Sequence, residues 1–221
     1  MDEVCETKFV DYKETADEVC EKVLSYIRED TSGWKVVKRT KHISVLAKPS
    51  GDFCGTLYRA EARIEVPAEK LFPFMYLPEY REKWDKAVQS YRLVETIDQD
   101  TFIFHSITHS YGFGMVSPRD FVYLLHVRKY EGDLMTTNSV SVDHPDCPQS
   151  SIYVRGSSFP SGYACCPHPE NPGHSKLVAI VQVDLGGRLM PSLIESVMPT
   201  TLLNLVTDCK AGIKALKGKL P

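Results

Sequence analysis

The residue types that commonly carry chemistry occur in this 221-residue sequence without the spacing that catalysis needs. Gly112-Phe-Gly114 resembles the start of a dinucleotide-binding loop, but Ser117 stands where the third glycine would be. A strand is predicted to follow, so the helix N-terminus that holds a phosphate is missing. The serines within residues 157–161 lack the Gly-x-Ser-x-Gly turn of a nucleophile. We therefore predict no catalytic residue and no cofactor.

Possible metal ligands and paired carboxylates are also poorly placed. Residues 143–147 and 165–168 contain cysteine and histidine, but not in the paired spacings that surround zinc with four ligands. Glu79 and Glu82 flank an exposed turn, where nothing apolar would raise the pKa of either carboxyl group. The sequence therefore predicts no metal site, and we expect a protein that is not an enzyme.

Composition and charge indicate a globular protein of a reducing compartment. Hydrophobic residues make up 43% of the chain and charged residues 25%, and the net charge of −3 does not suit a nucleic-acid partner. No apolar run is long enough to span a membrane, and the acidic N-terminus is unlike a secretory signal. The seven cysteines, Cys5 among them, form no Cys-x-x-Cys pair and are typical of free thiols. We expect a cytoplasmic monomer that binds no nucleic acid.

Hydrophobic periodicity predicts a helix, a long series of strands and a final helix. Apolar residues at helical spacing predict the first helix over residues 13–29, and residues 68–76 predict a short second one. About nine antiparallel strands between the terminal helices make an α+β fold, and we expect residues 1–221 to form one domain. The stretch closest to a linker is residues 163–175. The predicted strands are a hairpin within 34–48, then 55–66, 88–96, 101–108, 120–130, 134–142, 152–158 and 176–185.

Residues 191–217 predict one long helix with an unusually wide apolar face. At ~1.5 Å per residue this helix would cross a whole small domain. Pro199 removes one backbone donor, which predicts a kink at Met198–Pro199 that is either a hinge or static. A large antiparallel sheet tends to curl, so we expect the helix to cover a concave apolar face and to enclose a cavity.

Seven short motifs follow one another along most of the chain. They are Trp34-Lys35, Leu57-Tyr-Arg-Ala-Glu61, Lys83-Trp-Asp85, Ser117-Pro-Arg-Asp-Phe-Val122, Lys129-Tyr-Glu-Gly132, Tyr153-Val-Arg-Gly156 and Asp184-Leu-Gly-Gly-Arg-Leu-Met-Pro191. Together they resemble the START (steroidogenic-acute-regulatory-related lipid transfer) domain family, and in particular its small soluble single-domain carriers. The resemblance covers residues 12–217.

The resemblance implies a helix-grip fold, in which a curved antiparallel sheet wraps the C-terminal helix around a tunnel for one lipid. It also implies that the loop before Ser117 forms a gate with that helix. In cholesterol-carrying relatives an acidic residue and an arginine pair inside the tunnel, and the matching positions here are Ser106 and Leu125. A neutral site leaves hydroxyls such as Ser106 and Thr108 to meet a lipid. Cholesterol, another sterol, a bile-acid-like steroid and a different lipid all stay open.

Strand alternation from Ser106 and Leu125, with the apolar stripe of the last helix, predicts the residues that touch the lipid. We expect the gate to touch a membrane transiently, and lysines such as Lys210 and Lys214 either assist there or stabilise the helix C-terminus. The predicted lipid-binding residues are Phe102, Phe104, Ser106, Thr108, Tyr123, Leu125, Leu193, Val197, Leu202 and Val206. The predicted gate residues are Tyr111, Phe113, Met115, Met198 and Pro199.

These expectations describe a carrier that moves one sterol or steroid-like lipid between membranes without vesicles. Two alternatives stay open. The same cavity could belong to a cyclase-type enzyme that acts on a bound lipid, or to a module that senses a ligand and changes a protein-binding surface. A titratable residue deep in the tunnel would favour the enzyme, and the sequence alone identifies none.

Overall fold

The computed structural model describes residues 11–221, so Cys5 lies outside the described part of the chain. The helices are α1 (Tyr12–Arg28), α2 (Ala68–Tyr76), α3 (Pro78–Trp84) and α4 (Pro191–Ala215). The first six strands are β1 (Lys35–Arg39), β2 (Ile43–Pro49), β3 (Thr56–Ile64), β4 (Val88–Thr96), β5 (Thr101–Thr108) and β6 (Arg119–Lys129). The others are β7 (Met135–Ser141), β8 (Val154–Arg155), β9 (Ser157–Ser158), β10 (Gly162–His168), β11 (Asn171–Val181) and β12 (Val183–Asp184).

Most of the strands join one large sheet, whose order is β1-β2-β3-β11-β10-β7-β6-β5-β4. Every pair along this path is antiparallel. β8 adds a short parallel pair to β6, while β9 and β12 form a separate two-stranded sheet. The predicted α+β arrangement with about nine antiparallel strands is confirmed.

α1 and α4 cover opposite faces of this sheet, as alternate residues of β3 show. The Arg59 guanidinium donates hydrogen bonds to the carbonyl oxygens of Tyr26 and Ile27 on α1, at 2.7 and 2.9 Å. Ala60, the next residue, belongs instead to the core cluster that contains Val206 of α4. Because successive side chains of a strand point to opposite faces, the two helices must lie on the two sides of the sheet.

α1 begins where the sequence predicts, since the Asp11 carboxylate accepts hydrogen bonds from the backbone N–H groups of Lys13 and Glu14. Its apolar stripe is buried against the sheet and includes Cys20, which is fully buried. The six cysteines within residues 11–221 are free thiols.

Two segments differ from the sequence predictions. Residues 163–175 are not linker-like, because they contain β10 and the start of β11, which pair in register from Gly162↔Ile180 to Pro167↔Ser175. Residues 78–84 are not an exposed turn but the helix α3, with Pro78 in its first turn, where the fixed φ of proline suits a helix start.

α4 is 25 residues long and lies across the sheet face opposite α1. It also packs closely on α3, because a Cβ atom added at Gly212 would lie 2.3 Å from the Cβ of Trp84. Only a glycine permits this approach, which fixes the C-terminal half of α4 against α3. Among residues 11–221, no helix is both long and apolar enough to cross a bilayer.

Candidate ligand cavity

A cavity of about 190 Å³ lies between the sheet and the middle of α4. Strands β4, β5, β6, β7, β10 and β11 supply one wall, and the segment around the end of α3 supplies part of another. The opposite wall is one stripe of α4. That stripe consists of Met198, Thr201, Leu202 and Leu205, whose spacing of three, one and three residues keeps them on one side of the helix. A largely apolar concavity with a few polar groups is the usual form of a small-molecule site.

The structure places several of the predicted residues on the cavity wall. Alternation along two paired strands puts them there, because β5 and β6 both present every second side chain to this face. The predicted residues on the wall are Ser106, Thr108, Tyr111, Tyr123, Leu125, Met198 and Leu202.

Five residues predicted to touch the lipid lie behind the wall instead. Phe104 is buried and stacks on Tyr91, and Phe102 packs against Phe104 with ring centroids 6.2 Å apart. Val206 is fully buried in the core, and Leu193 packs on that core from its edge. Val197 contacts the loop that contains Gly112. The stripe of α4 that lines the cavity is therefore narrower than the whole apolar face of the helix.

Sequence reasoning missed the most polar part of the wall, an ion pair between Arg81 and Asp85. Their side chains are 13% and 2% exposed. The Arg81 Nε and Nη2 atoms donate to Asp85 Oδ2 at 3.1 and 2.9 Å, and Nη1 donates to the carbonyl oxygen of Met75 at 3.3 Å. Asp85 Oδ1 accepts a hydrogen bond from the Ala87 backbone N–H. The pair is therefore held firmly, as a buried charge pair must be if its desolvation is to be offset.

Aromatic rings surround the Arg81 guanidinium group. Its central carbon lies 5.3 Å from the ring centroids of Tyr91 and Tyr163 and 5.6 Å from that of Trp84. Burial alone would lower the pKa of Arg81. The surrounding groups, of which Tyr163 and Asp85 have the largest effects, outweigh burial and raise that pKa well above its ordinary value. Arg81 is therefore a permanent cation in contact with the cavity.

The cavity tyrosines stay protonated. Burial is the main cause that raises the pKa of Tyr123 to about 12, and it raises the pKa of Tyr91 well above its ordinary value. A neutral phenol can donate one hydrogen bond and accept others. The end of the cavity at Arg81, which we call the polar end, is therefore rich in donors.

The loop of residues 111–116, whose Tyr111 lines the cavity, is called the gate loop here. The backbones of Tyr111 and Val116 are joined by two hydrogen bonds, of 2.9 and 3.2 Å. Between them Gly112, Phe113 and Gly114 all have positive φ, at 56°, 58° and 88°. The left-handed conformation suits glycine, but it is strained for phenylalanine.

The structure separates the three apolar side chains of the gate loop. Phe113 is fully exposed and Met115 is 59% exposed, whereas Tyr111 faces inward onto the cavity wall. Tyr111 is therefore part of the cavity wall, whereas the other two side chains contact solvent.

Two contacts hold the gate loop in place, one with α4 itself and one with the segment that leads into α4. A Cβ atom added at Gly112 would lie 2.7 Å from Val197 Cγ2, so the loop backbone rests directly on α4. The buried Arg119 side chain donates hydrogen bonds to the carbonyl oxygens of Ser117, at 2.6 Å, and of Leu185. Arg119 thus ties the base of the loop to the chain just before α4.

α4 remains helical across Pro199, and both Met198 and Pro199 are buried. The Thr201 hydroxyl donates to the Val197 carbonyl oxygen at 3.0 Å, one turn earlier. Such a side-chain bond is common where a helix bends. A hinge at this point stays a prediction.

Comparison with known proteins gives one consistent result. The START domain family model matches residues 14–219. The chain is 48% identical to human StAR-related lipid transfer protein 6 over 206 residues, which are 93% of each chain. It is 33% identical to bovine StAR-related lipid transfer protein 5, over 93% of this chain and 97% of that one.

A solved structure gives the same result for the fold. The structure of human StAR-related lipid transfer protein 5 superimposes with a TM-score of 0.88 at 31% identity, covering 92% of this chain and 97% of that one. The predicted helix-grip fold is therefore confirmed, and the chain belongs to the START domain family.

Proposed function

We propose that this protein binds one lipid, a sterol or steroid-like molecule, in the cavity and carries it between membranes as a cytoplasmic monomer. The observation that carries the proposal is a cavity with an apolar α4 stripe on one side and a fixed polar end at Arg81 and Asp85. An amphipathic lipid has the same division, since one part avoids water and another needs hydrogen bonds. Membership in a family of lipid-transfer proteins supports this reading.

The energetics explain why a carrier is useful. Hiding about 400 Å² of sterol surface from water at ~25 cal/mol per Å² is worth roughly 10 kcal/mol, so unaided desorption from a membrane is slow. A cavity that accepts the molecule as it leaves the bilayer lowers that barrier.

The cavity must widen to accept a sterol. Its volume of about 190 Å³ lies below the ~300–1,000 Å³ of most small-molecule sites. Three wall side chains are best able to move. Tyr111 belongs to the gate loop, Met198 follows the Val197 that this loop contacts, and Leu205 is only half-buried. We propose that opening of the gate loop and rotation of these side chains occur together.

Phe113 and Met115 are the proposed membrane contacts, because they are apolar, exposed and next to the cavity mouth. The lysines at the end of α4 fit this role less well. Lys210 is 13 residues beyond Val197, so it lies about 20 Å along the helix from the gate loop. We assign Lys210 and Lys214 to the helix C-terminus instead.

Replacing Met115 by Asp tests membrane contact. The variant should fold normally, because the side chain touches little, and should move a fluorescent sterol between liposomes several times more slowly than wild type. Leu93→Ala is a matched control, since Leu93 is an exposed leucine, 43% accessible, on β4. Unchanged transfer by Met115→Asp would contradict the proposed docking.

An enzyme acting on a bound lipid is the alternative, because Arg81 and Asp85 are charged groups on the cavity wall. These two groups are hydrogen-bonded to each other and to the backbone, which leaves Asp85 poorly placed to exchange protons with a ligand. We therefore favour the carrier. Mass spectrometry of the lipid before and after incubation decides between the two, since a carrier returns its ligand unchanged.

A further inference from the structure

The ring of Tyr91 is fixed on the cavity wall by its neighbours. It stacks on Phe104 with ring centroids 4.8 Å apart and planes inclined by 7°, and the Arg81 guanidinium carbon lies 5.3 Å from its centroid. Tyr91 is 2% exposed, yet it forms part of the cavity wall. A side chain held in this way presents its hydroxyl in one direction only.

That hydroxyl makes no hydrogen bond of ordinary geometry among the described residues, and its nearest polar neighbour is the hydroxyl of Tyr123. A buried polar group without a partner is costly and uncommon in folded proteins. A partner that arrives with a ligand would offset this cost, whereas a phenylalanine at the same place would gain nothing from such a ligand. The group stays a neutral donor because burial raises the pKa of Tyr91.

Arg81 supplies further donors at the same place. A guanidinium group has five N–H bonds. Asp85 accepts two of them and the Met75 carbonyl accepts one. Two N–H bonds remain beyond these three, and the guanidinium group that carries them lines the cavity beside the rings of Tyr91 and Tyr163.

The charges at the polar end are already balanced. Asp85 pairs with Arg81, and Asp208 of α4 lies 3.8 Å from Lys86. An anionic ligand would add an uncompensated buried negative charge beside two carboxylates, which is strongly unfavourable. An uncharged oxygen atom with two lone pairs would instead accept from Tyr91 and Arg81 and leave the balance unchanged.

We propose that the hydroxyl of Tyr91, together with the remaining N–H bonds of Arg81, selects a lipid whose polar end is one uncharged oxygen, a carbonyl or a hydroxyl. This inference rests on the proposed function, because it assumes that the cavity takes up a lipid. It makes Tyr91 a specificity-determining residue and orients the bound lipid with its oxygen at Arg81.

The test compares wild type with Tyr91→Phe on ligands that share a skeleton and differ at one position. The steroid set is 5α-cholestane, cholesterol, cholest-4-en-3-one and cholesterol sulfate. Wild type should bind cholesterol and the ketone more tightly than cholestane or the sulfate. Tyr91→Phe should weaken binding of the two oxygen-bearing neutral steroids by about fivefold to tenfold, the worth of one hydrogen bond, and leave cholestane within about twofold.

Thermal unfolding of the ligand-free variant gives an independent readout. Because the hydroxyl of Tyr91 makes no hydrogen bond of ordinary geometry within residues 11–221, Tyr91→Phe should leave the Tm unchanged or raise it. Tyr58→Phe is the matched control, since Tyr58 is a buried tyrosine of β3 that lies outside the cavity wall. It should leave every binding constant unchanged.

Two results would overturn the inference. Equal weakening of cholestane and cholesterol by Tyr91→Phe would mean that the side chain only packs. Tighter binding of the sulfate than of cholesterol by wild type would show that the polar end accepts an anion.

A second set separates this inference from the proposed sterol function. It consists of hexadecane, 1-hexadecanol, methyl palmitate and hexadecyl sulfate. Wild type could bind only the neutral oxygen-bearing members of this second set, and Tyr91→Phe could weaken that binding. This result would refute the proposed sterol ligand but support the proposed role of Tyr91. Binding of neither set by wild type would refute both proposals.

Discussion

The two ends of the cavity are built in contrasting ways. At the polar end, Arg81 and Asp85 are hydrogen-bonded to each other and to the backbone, and aromatic rings enclose them. At the gate loop, three successive residues have positive φ, and Phe113 is fully exposed. Stability differs between regions of one protein, and elements that move come from its less stable parts. The two ends therefore differ in rigidity, and we propose that the fixed end recognises the ligand while the gate loop opens to admit it.

The largest expected effect comes from removing one partner of the fixed pair. Asp85→Ala leaves the Arg81 charge buried without its counter-ion and should lower the free energy of unfolding by about 3–5 kcal/mol. Urea denaturation measures this. Lys129→Ala, which breaks the exposed Lys129–Asp133 pair, should change the same free energy by less than about 1 kcal/mol. If the two variants lost the same stability, the polar end would not be the fixed end.

The next effect concerns the attachment of the gate loop. Arg119→Ala removes the donors to the carbonyl oxygens of Ser117 and Leu185, and should cost about 2–4 kcal/mol. Hydrogen exchange should quicken first at the amides of Tyr111 and Val116. Arg119→Lys keeps the charge but lacks the forked geometry, so it should recover only part of the loss. Unaltered exchange within the gate loop of Arg119→Ala would show that this side chain does not anchor it.

A smaller effect is expected at Phe113, where one substitution should maintain or raise the stability of the fold but slow lipid transfer. Phe113→Gly relieves a left-handed phenylalanine that makes little contact, so the free energy of unfolding should stay the same or rise by up to about 1 kcal/mol. Liposome transfer should slow, because the apolar tip is lost. A clear loss of stability would show that Phe113 packs onto the protein and is not held out for a membrane.

The smallest effect is expected at Pro199. Pro199→Ala restores a backbone donor within α4 and should stiffen the helix beside the gate loop. If Pro199 is a hinge, transfer slows by about twofold or more while equilibrium binding of the sterol is kept. Equal rates for the variant and wild type would leave only a static kink.

The sequence was most informative where a regular period governs the side chains. Helical spacing predicted α1 and α4. The family resemblance supplied Ser106 and Leu125, and alternation from these two added Thr108 and Tyr123, all of which line the cavity. On α4, helical spacing alone could not tell the residues that line the cavity from those that are buried in the core. Val206 and Leu202 lie on one apolar face, and only the neighbours of each decide that Leu202 meets the cavity.

The polar end could not be found in this way, because its residues lie in a short, highly charged segment. Arg81 and Asp85 stand among exposed glutamates and lysines, and α3 has only seven residues. One signal was available, since a spacing of four puts the two side chains on the same side of a helix that also carries the buried Trp84. β10 was missed for a related reason, because its proline, cysteines and histidine resemble a loop.

The central claim, that the cavity holds one lipid, is tested most directly by native mass spectrometry after incubation with a total lipid extract. Leu205→Trp would fill the cavity from α4, whereas Leu203→Trp places the same bulk on a half-buried position away from the wall. We predict a mass increase of one lipid for wild type and Leu203→Trp, and none for Leu205→Trp. A bound lipid in Leu205→Trp at the wild-type level, or none in wild type, would contradict the account.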